Sequence, residues 1–293
     1  MEPRTAIELR EMEPGDRDEC ARIVYEAFGG FQDHHRFPRD FPTLEAAVQL
    51  TSNFIAHPGI WGVVAEAEGR IVGSNFLDER AEITGVGPIT VDPDAQGHGV
   101  GRRLMEAVMT RGAAARGMRL FQDSFNTQSL ALYASLGFEV KEPAVVMSGV
   151  SRSGPAAGTE VRPLEEGDLQ ECESLCVSVH GFERTSELRD ALQIPVLSPF
   201  VALRDGRVTA YATTLTFFPA AYGVAETEQD MCALIAGALA AGGQPASFLL
   251  PTRQTSLLRW CLGEGLRIVK PMTYMTTGDY QEPDGCWIPS VLF

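Results

Sequence analysis

Apolar residues recur along this chain in two rhythms, alternation over short runs and three-to-four spacing over longer ones. Ile7 and Leu9 predict a strand at 7–10. Asp16 can cap a helix whose apolar face is Cys20, Ile23, Val24, Ala27 and Phe28, and Gly29-Gly30 should stop it. A polar, aromatic loop over 31–43 holds His34 and His35, and a second helix runs from Thr43 to His57. Runs at 61–66 and 70–76 form a hairpin around Ala67-Glu68-Gly69. A longer strand at 82–91 contains Gly85, Gly87 and Pro88, which predict a bulge where regular pairing breaks.

Pro93 ends that strand, and Leu104, Met105, Val108 and Met109 then recur at helical spacing. Residues 118–125 read as the next strand. Asn126 opens a helix that carries Leu130, Tyr133 and Ala134 on one face, and Gly137 closes it. Two short strands follow, one from Phe138 and one at 144–147.

Much of this pattern then recurs. Residues 160–168 echo 8–16, the run from Phe200 to Val208 echoes the hairpin from Val63 to Ile71, and 254–275 parallel 126–147. Gly265 stands for Gly137 and Pro271 for Pro143. The chain therefore reads as a tandem α/β (α+β) duplication. The boundaries are 1–150 and 159–293, with a Ser/Gly/Pro-rich linker at 151–158.

Composition narrows the classes. The chain has 293 residues and a net charge of −15, which argues against nucleic acid or an anionic membrane as partner. No apolar run is long enough for a membrane span, and Met1-Glu2-Pro3-Arg4 lacks a signal-peptide core, so a cytoplasmic location is expected. The six cysteines form no CxxC pair. Cys172, Cys176 and His180 lie on one amphipathic helix without a fourth ligand, so buried thiols are expected there and no metal.

The candidate chemistry lies in Gln96-Gly97-His98-Gly99-Val100-Gly101-Arg102, between a strand and a helix. Glycine permits a sharp turn and a close approach by a ligand, and the free N–H groups of a helix start attract an anion. The loop is not a Walker A loop, because no Gly-Lys-Ser/Thr follows. Its Gln-x-x-Gly-x-Gly pattern after Val91-Asp92-Pro93 resembles the acetyl-coenzyme A loop of the GNAT acyltransferases. Asn126-(x)6-Tyr133-(x)3-Gly137-Phe138 resembles that family's second cofactor-contacting segment, in the right order.

The resemblance implies tandem GNAT domains, each a mixed, mostly antiparallel sheet flanked by helices with a splayed cofactor cleft. It implies transfer of an acetyl group from acetyl-coenzyme A to a primary amine of a small molecule, without a metal, by a monomer or homodimer. By carry-over, the backbones of Ile89, Thr90 and Val91 hold pantetheine. Gln96 shapes the turn, and the N–H groups of Gly97, His98, Gly99, Val100, Gly101 and Arg102 hold pyrophosphate. Arg102 or Arg103 adds positive charge, Asn126 contacts pantetheine, and Tyr133 is the general acid. The usual positions of the family's base are Val86, Gly87 and Pro88 here, so Glu82 becomes the candidate base. Asp78, Glu79, His34 and His35 are alternatives. Other readings are a protein N-terminus or lysine as acceptor, or a sensor that binds acyl-coenzyme A without turnover. In the second repeat, Glu226, Glu228 and Asp230 replace the glycine loop and Cys261 replaces Tyr133, so cofactor binding is not expected there.

Overall fold

The computed structural model describes residues 6–154 and 158–292, so part of the expected linker, 155–157, lies outside the described residues. The chain folds as two compact units, Met1–Met118 and Arg119–Phe293.

The first unit runs β1 (Ile7–Glu11), α1 (Arg17–His34), α2 (Leu44–Ala56), β2 (Ile60–Ala67), β3 (Arg70–Asp78), β4 (Ile83–Val86), β5 (Thr90–Val91) and α3 (Val100–Arg111). It ends in the first residues of β6 (Gly117–Asp123). Strands pair antiparallel in the order β1-β2-β3-β4, and β5 also pairs with β3. Successive strand residues face opposite sides, and β3 shows what covers each side. Ser74 faces Cys20 of α1, and Phe76 meets Phe54 of α2 edge-on at 5.3 Å. Gly73 and Asn75 face α3 instead, where Asn75 Nδ2 reaches Met105 Sδ at 3.6 Å. A Cβ at Gly73 would lie 2.8 Å from Thr90 O and 3.1 Å from Leu104 Cδ1, so only glycine lets α3 pack this closely.

One expectation fails here. Gly29-Gly30 does not stop α1, which continues to His34, so His34 is helical and His35 caps the end. Two glycines weaken a helix by about 1 kcal/mol each, but tertiary contacts outweigh that. A Cβ at Gly29 would meet the Arg39 guanidinium at 2.8 Å, and buried Gln32 accepts from Asp40 N at 2.9 Å through Oε1.

The second unit continues with α4 (Thr127–Ser135), β7 (Glu139–Gly149), β8 (Glu160–Pro163), α5 (Leu169–His180), α6 (Thr185–Gln193), β9 (Phe200–Arg204) and β10 (Arg207–Ala212). It closes with β11 (Gly223–Ala225), α7 (Glu228–Gly242), β12 (Ala246–Pro251), α8 (Thr255–Glu264), β13 (Arg267–Gly278) and β14 (Cys286–Ile288). The two short strands expected around 138–147 form a single strand, β7. Pro143 takes an extended place in it, opposite Thr273. One sheet has the order β14-β11-β10-β9-β8. Ala210 and Ala212 of β10 enter the core with Met231, Leu234 and Ile235 of α7, while Tyr211 faces Cys176 of α5.

The duplication is visible residue by residue. Arg10 grips Asp16 at 2.7 and 2.8 Å, and Arg162 grips Asp168 at the same two distances. In both copies that aspartate accepts from the backbone three residues before it. The closing strands, however, are exchanged. The order β6-β13-β7-β12 places β13 of the second repeat beside β6 of the first, and β7 of the first beside β12 of the second. The compact units divide at 118/119.

Candidate active site

The connection between β5 and α3 is fixed at its base and open at its crown. Asp92 accepts from Arg22 Nη2 at 2.8 Å and from Asp94 N at 3.0 Å, and Gln96 Nε2 donates to Val91 O at 3.2 Å. Gly97 and Gly99 have φ of 79° and 85°, and a Cβ on either would touch nothing within 4 Å. Glycine is needed there for its left-handed backbone, and the surface above both residues is open. Gly99 caps α3 without any side-chain bond, and no acidic residue occupies the first turn. Free N–H groups at the positive end of a three-turn helix make an anion site. His98 is exposed. Arg102 is exposed and lies 3.9 Å from Glu106, and Arg103 donates to Ile7 O.

Before this loop the ladder breaks. Leu77 opposes Val86, but Ser74 opposes Thr90, so three steps along β3 match four along its partner. Gly87 N still donates to Phe76 O at 2.9 Å, while Phe76 N turns to Asn75 Oδ1 at 2.9 Å. That is a one-residue bulge at Gly87-Pro88-Ile89. Among the described residues β5 pairs with β3 alone, which leaves Ile89, Thr90 and Val91 along a strand edge. The Thr90 hydroxyl is buried against Ser74 Oγ at 3.2 Å, so Thr90 has only its backbone to offer a ligand.

The acidic candidates lie at the other end of β4, and each is ion-paired. Glu82 is exposed and binds Arg116 at 2.7 Å, Asp78 is buried against Arg80 at 2.6 Å, and Glu79 binds Arg111 at 2.9 Å. Five residues of extended chain, roughly 16 Å, separate Glu82 from the break at Gly87. His35 Nδ1 lies 3.0 Å from Phe31 O, and its ring meets that of His34 edge-on at 4.9 Å.

In the second unit, Asn126 caps α4 by accepting from Ser129 N at 3.0 Å. Tyr133 is buried two turns later, and burial pushes its hydroxyl up to about 12 against the opposing pull of Ser129. The segment before Asn126 rests on the exchanged strand. Asp123 pairs with Lys270 at 2.7 Å, both side chains almost fully buried, and Ser124 Oγ meets Thr273 Oγ1 at 2.7 Å. Neither Asp123 nor Lys270 stands out in the motif, although a lone lysine inside an apolar strand is a sequence signal for a buried partner.

The second repeat is built differently at the matching place. Only residues 226 and 227 join β11 to α7, too few for a cradle, against 92–99 in the first. Glu226 is bound by Arg204 and Arg207, Asp230 by Arg204, and Glu228 accepts from Leu257 N at the start of α8. Cys261, in the place of Tyr133, is buried and its thiol is pushed up to about 12. Cys172 and Cys176 are also buried, with Cys176 Sγ 3.3 Å from Tyr222 OH.

Residues 58–140 match the model of the acetyltransferase (GNAT) domain. That segment of the chain is a GNAT domain. A mycothiol acetyltransferase from Actinosynnema mirum is 30% identical over 136 residues, which cover 45% of this chain and 44% of that relative. The match thus spans less than half the length of that relative. Two solved structures share the fold over nearly the whole chain. A tandem GNAT protein from the clavulanic acid biosynthesis pathway has a TM-score of 0.61 at 15% identity, covering 97% of this chain and 100% of that one. A GCN5-related N-acetyltransferase from Sphaerobacter thermophilus has a TM-score of 0.62 at 14% identity, covering 94% and 96%. The tandem GNAT architecture expected from the motifs is therefore the fold of this chain. No helix among the described residues is long and apolar enough to cross a membrane.

Proposed function

We propose that the protein transfers an acetyl group from acetyl-coenzyme A to a primary amine of a small molecule by direct attack of the amine. The observation that carries this reading is the loop at 96–102. Two left-handed glycines open a helix start that no side chain caps and no acid neutralises, inside the segment that matches the GNAT domain. The N–H groups of Gly97 to Arg102 would hold the pyrophosphate, with Arg102 or Arg103 adding charge. The backbone edge at Ile89, Thr90 and Val91 would take the pantetheine arm as an added strand, and Asn126 would contact it.

An attacking amine must be neutral, the tetrahedral intermediate carries an oxyanion, and the departing thiolate needs a proton. Tyr133 is the acid in this reading. Pushed up to about 12, its hydroxyl is protonated at every pH at which a thiol of ordinary pKa near 8.5 leaves. Glu82 is the base, and its distance along β4 from the break requires it to act through water. The second repeat would not bind cofactor, because its acids and its two-residue connection leave no anion cradle.

The deciding assay measures thiol release from acetyl-coenzyme A against a panel of small amines, a lysine-bearing peptide and a peptide with a free N-terminus. Turnover with a small amine supports the proposal. Turnover with peptides alone reassigns the acceptor, and binding of coenzyme A without turnover leaves the sensor reading. If coenzyme A fails to raise the melting temperature, the cofactor assignment falls.

A further inference from the structure

Strand β14 lies along β11, with Cys286, Trp287 and Ile288 opposite Ala225, Val224 and Gly223. β11 is the counterpart of β5. Ala225 opposes Ala210 and Val91 opposes Gly73, and each of those partners lies four residues beyond its hairpin glycine, Gly206 or Gly69. The first repeat leaves this edge to no other strand among the described residues, whereas the second fills it with the chain's own last strand.

The helix-capping residue has changed role to match. Gln254 stands where Asn126 stands in the first repeat, but it makes no cap bond to its own helix. Its longer side chain instead reads one peptide unit from both sides. Nε2 donates to Trp287 O at 2.7 Å, and Oε1 accepts from Trp287 N at 2.8 Å. Both groups are buried, and the indole packs edge-on against His180 at 5.2 Å and Tyr274 at 5.4 Å. The chain leading in, 279–285, has no helix or strand, and Gln281, Glu282, Asp284 and Gly285 are exposed.

Main-chain ladder bonds, an amide reader and an aromatic anchor are the parts of a strand-addition site. We propose that the second repeat is such a site. Its resident ligand is the chain's own segment 285–292, and it accepts an extended, amide-bearing chain in trans once that segment is detached. The occupied edge also explains why the intact second repeat has no room for another extended ligand.

The test uses the full chain with a protease site in place of residues 281–284, nicked after folding. A labelled synthetic peptide of residues 285–293 is then titrated in, with fluorescence anisotropy and near-ultraviolet circular dichroism as readouts. The expected result is saturable binding, competed by unlabelled peptide, without loss of the dichroism signal. Gln254→Ala should weaken binding about tenfold or more, since two buried bonds are lost. A peptide N-methylated at Trp287 removes one of those bonds without altering the protein and should also bind more weakly. Exchange that occurs only with loss of the folded signal overturns the proposal, as does wild-type affinity in both variants. Coenzyme A titrated into the intact chain separates this from the acetyltransferase reading. Two equivalents bound would overturn the closed slot, whereas none bound would sink only the acetyltransferase reading.

Discussion

Lys270 of the second repeat holds Asp123 of the first at 2.7 Å, with the ammonium side chain 1% and the carboxylate side chain 7% exposed. Asp123 O accepts from Asn126 N at 2.8 Å, so this pair anchors the turn that starts α4. The exchanged β13 thereby gives the second repeat a structural part in the segment that carries Asn126 and Tyr133.

Breaking this pair should be costly, because a carboxylate stays buried without its partner. Lys270→Met should lose about 3–5 kcal/mol of unfolding free energy, measured by urea denaturation. The double change Lys270→Met with Asp123→Leu should recover most of that loss. If the single variant is as stable as wild type, the anchoring role fails.

Tyr133→Phe keeps the buried ring but removes the proposed acid. Thiol release should slow by roughly 10²- to 10⁴-fold in kcat, with the affinity for coenzyme A little changed. Because burial raises this hydroxyl to about 12, the wild-type rate should show no decline below pH 10 from its ionisation. An unchanged kcat with every productive acceptor would remove Tyr133 from the chemistry.

At Gly99 the backbone angle, not space, is the constraint. Gly99→Ala should strain the turn by about 1–2 kcal/mol and weaken coenzyme A binding, read by calorimetric titration. Gly30→Ala, at a helical glycine where a Cβ touches nothing within 4 Å, should leave binding intact.

Two buried groups in the second unit pull stability in opposite directions with pH. Burial, helped by Arg184, Arg119 and Arg253, lowers His180 to about 3. The unfolded histidine gains a proton below about 6.5 that the folded one refuses, so this group costs stability as pH falls from 6.5 towards 3. Burial raises Glu142 to about 7, against the pull of Arg253 at 3.1 Å. The folded carboxyl keeps its proton while the unfolded one loses it above about 4.5, so this group costs stability as pH rises from 4.5 to 7. Between pH 4.5 and 6.5 the two slopes, each about 1.4 kcal/mol per pH unit, should offset. In Glu142→Gln stability should fall with acid across that window, and in His180→Phe it should fall with base. Parallel curves for the two variants would contradict both assignments.

Local patterns determined a good deal. Alternation and helical spacing located most strands and helices, because one buried face per element is a requirement that side chains display directly. The two motifs located the glycine loop and the α4 start, because backbone geometry there admits few residue types. Long-range competition settled the rest. Gly29-Gly30 looked like a helix end because local propensity is weak beside the packing of Arg39 and Gln32. The exchange of β7 and β13 could not be read, because the repeats carry equivalent closing strands and either sheet would accept either one. Gln254 differs from Asn126 by one methylene, yet only the arrival of Trp287 from 33 residues further along the chain turns that length into a grip on another strand.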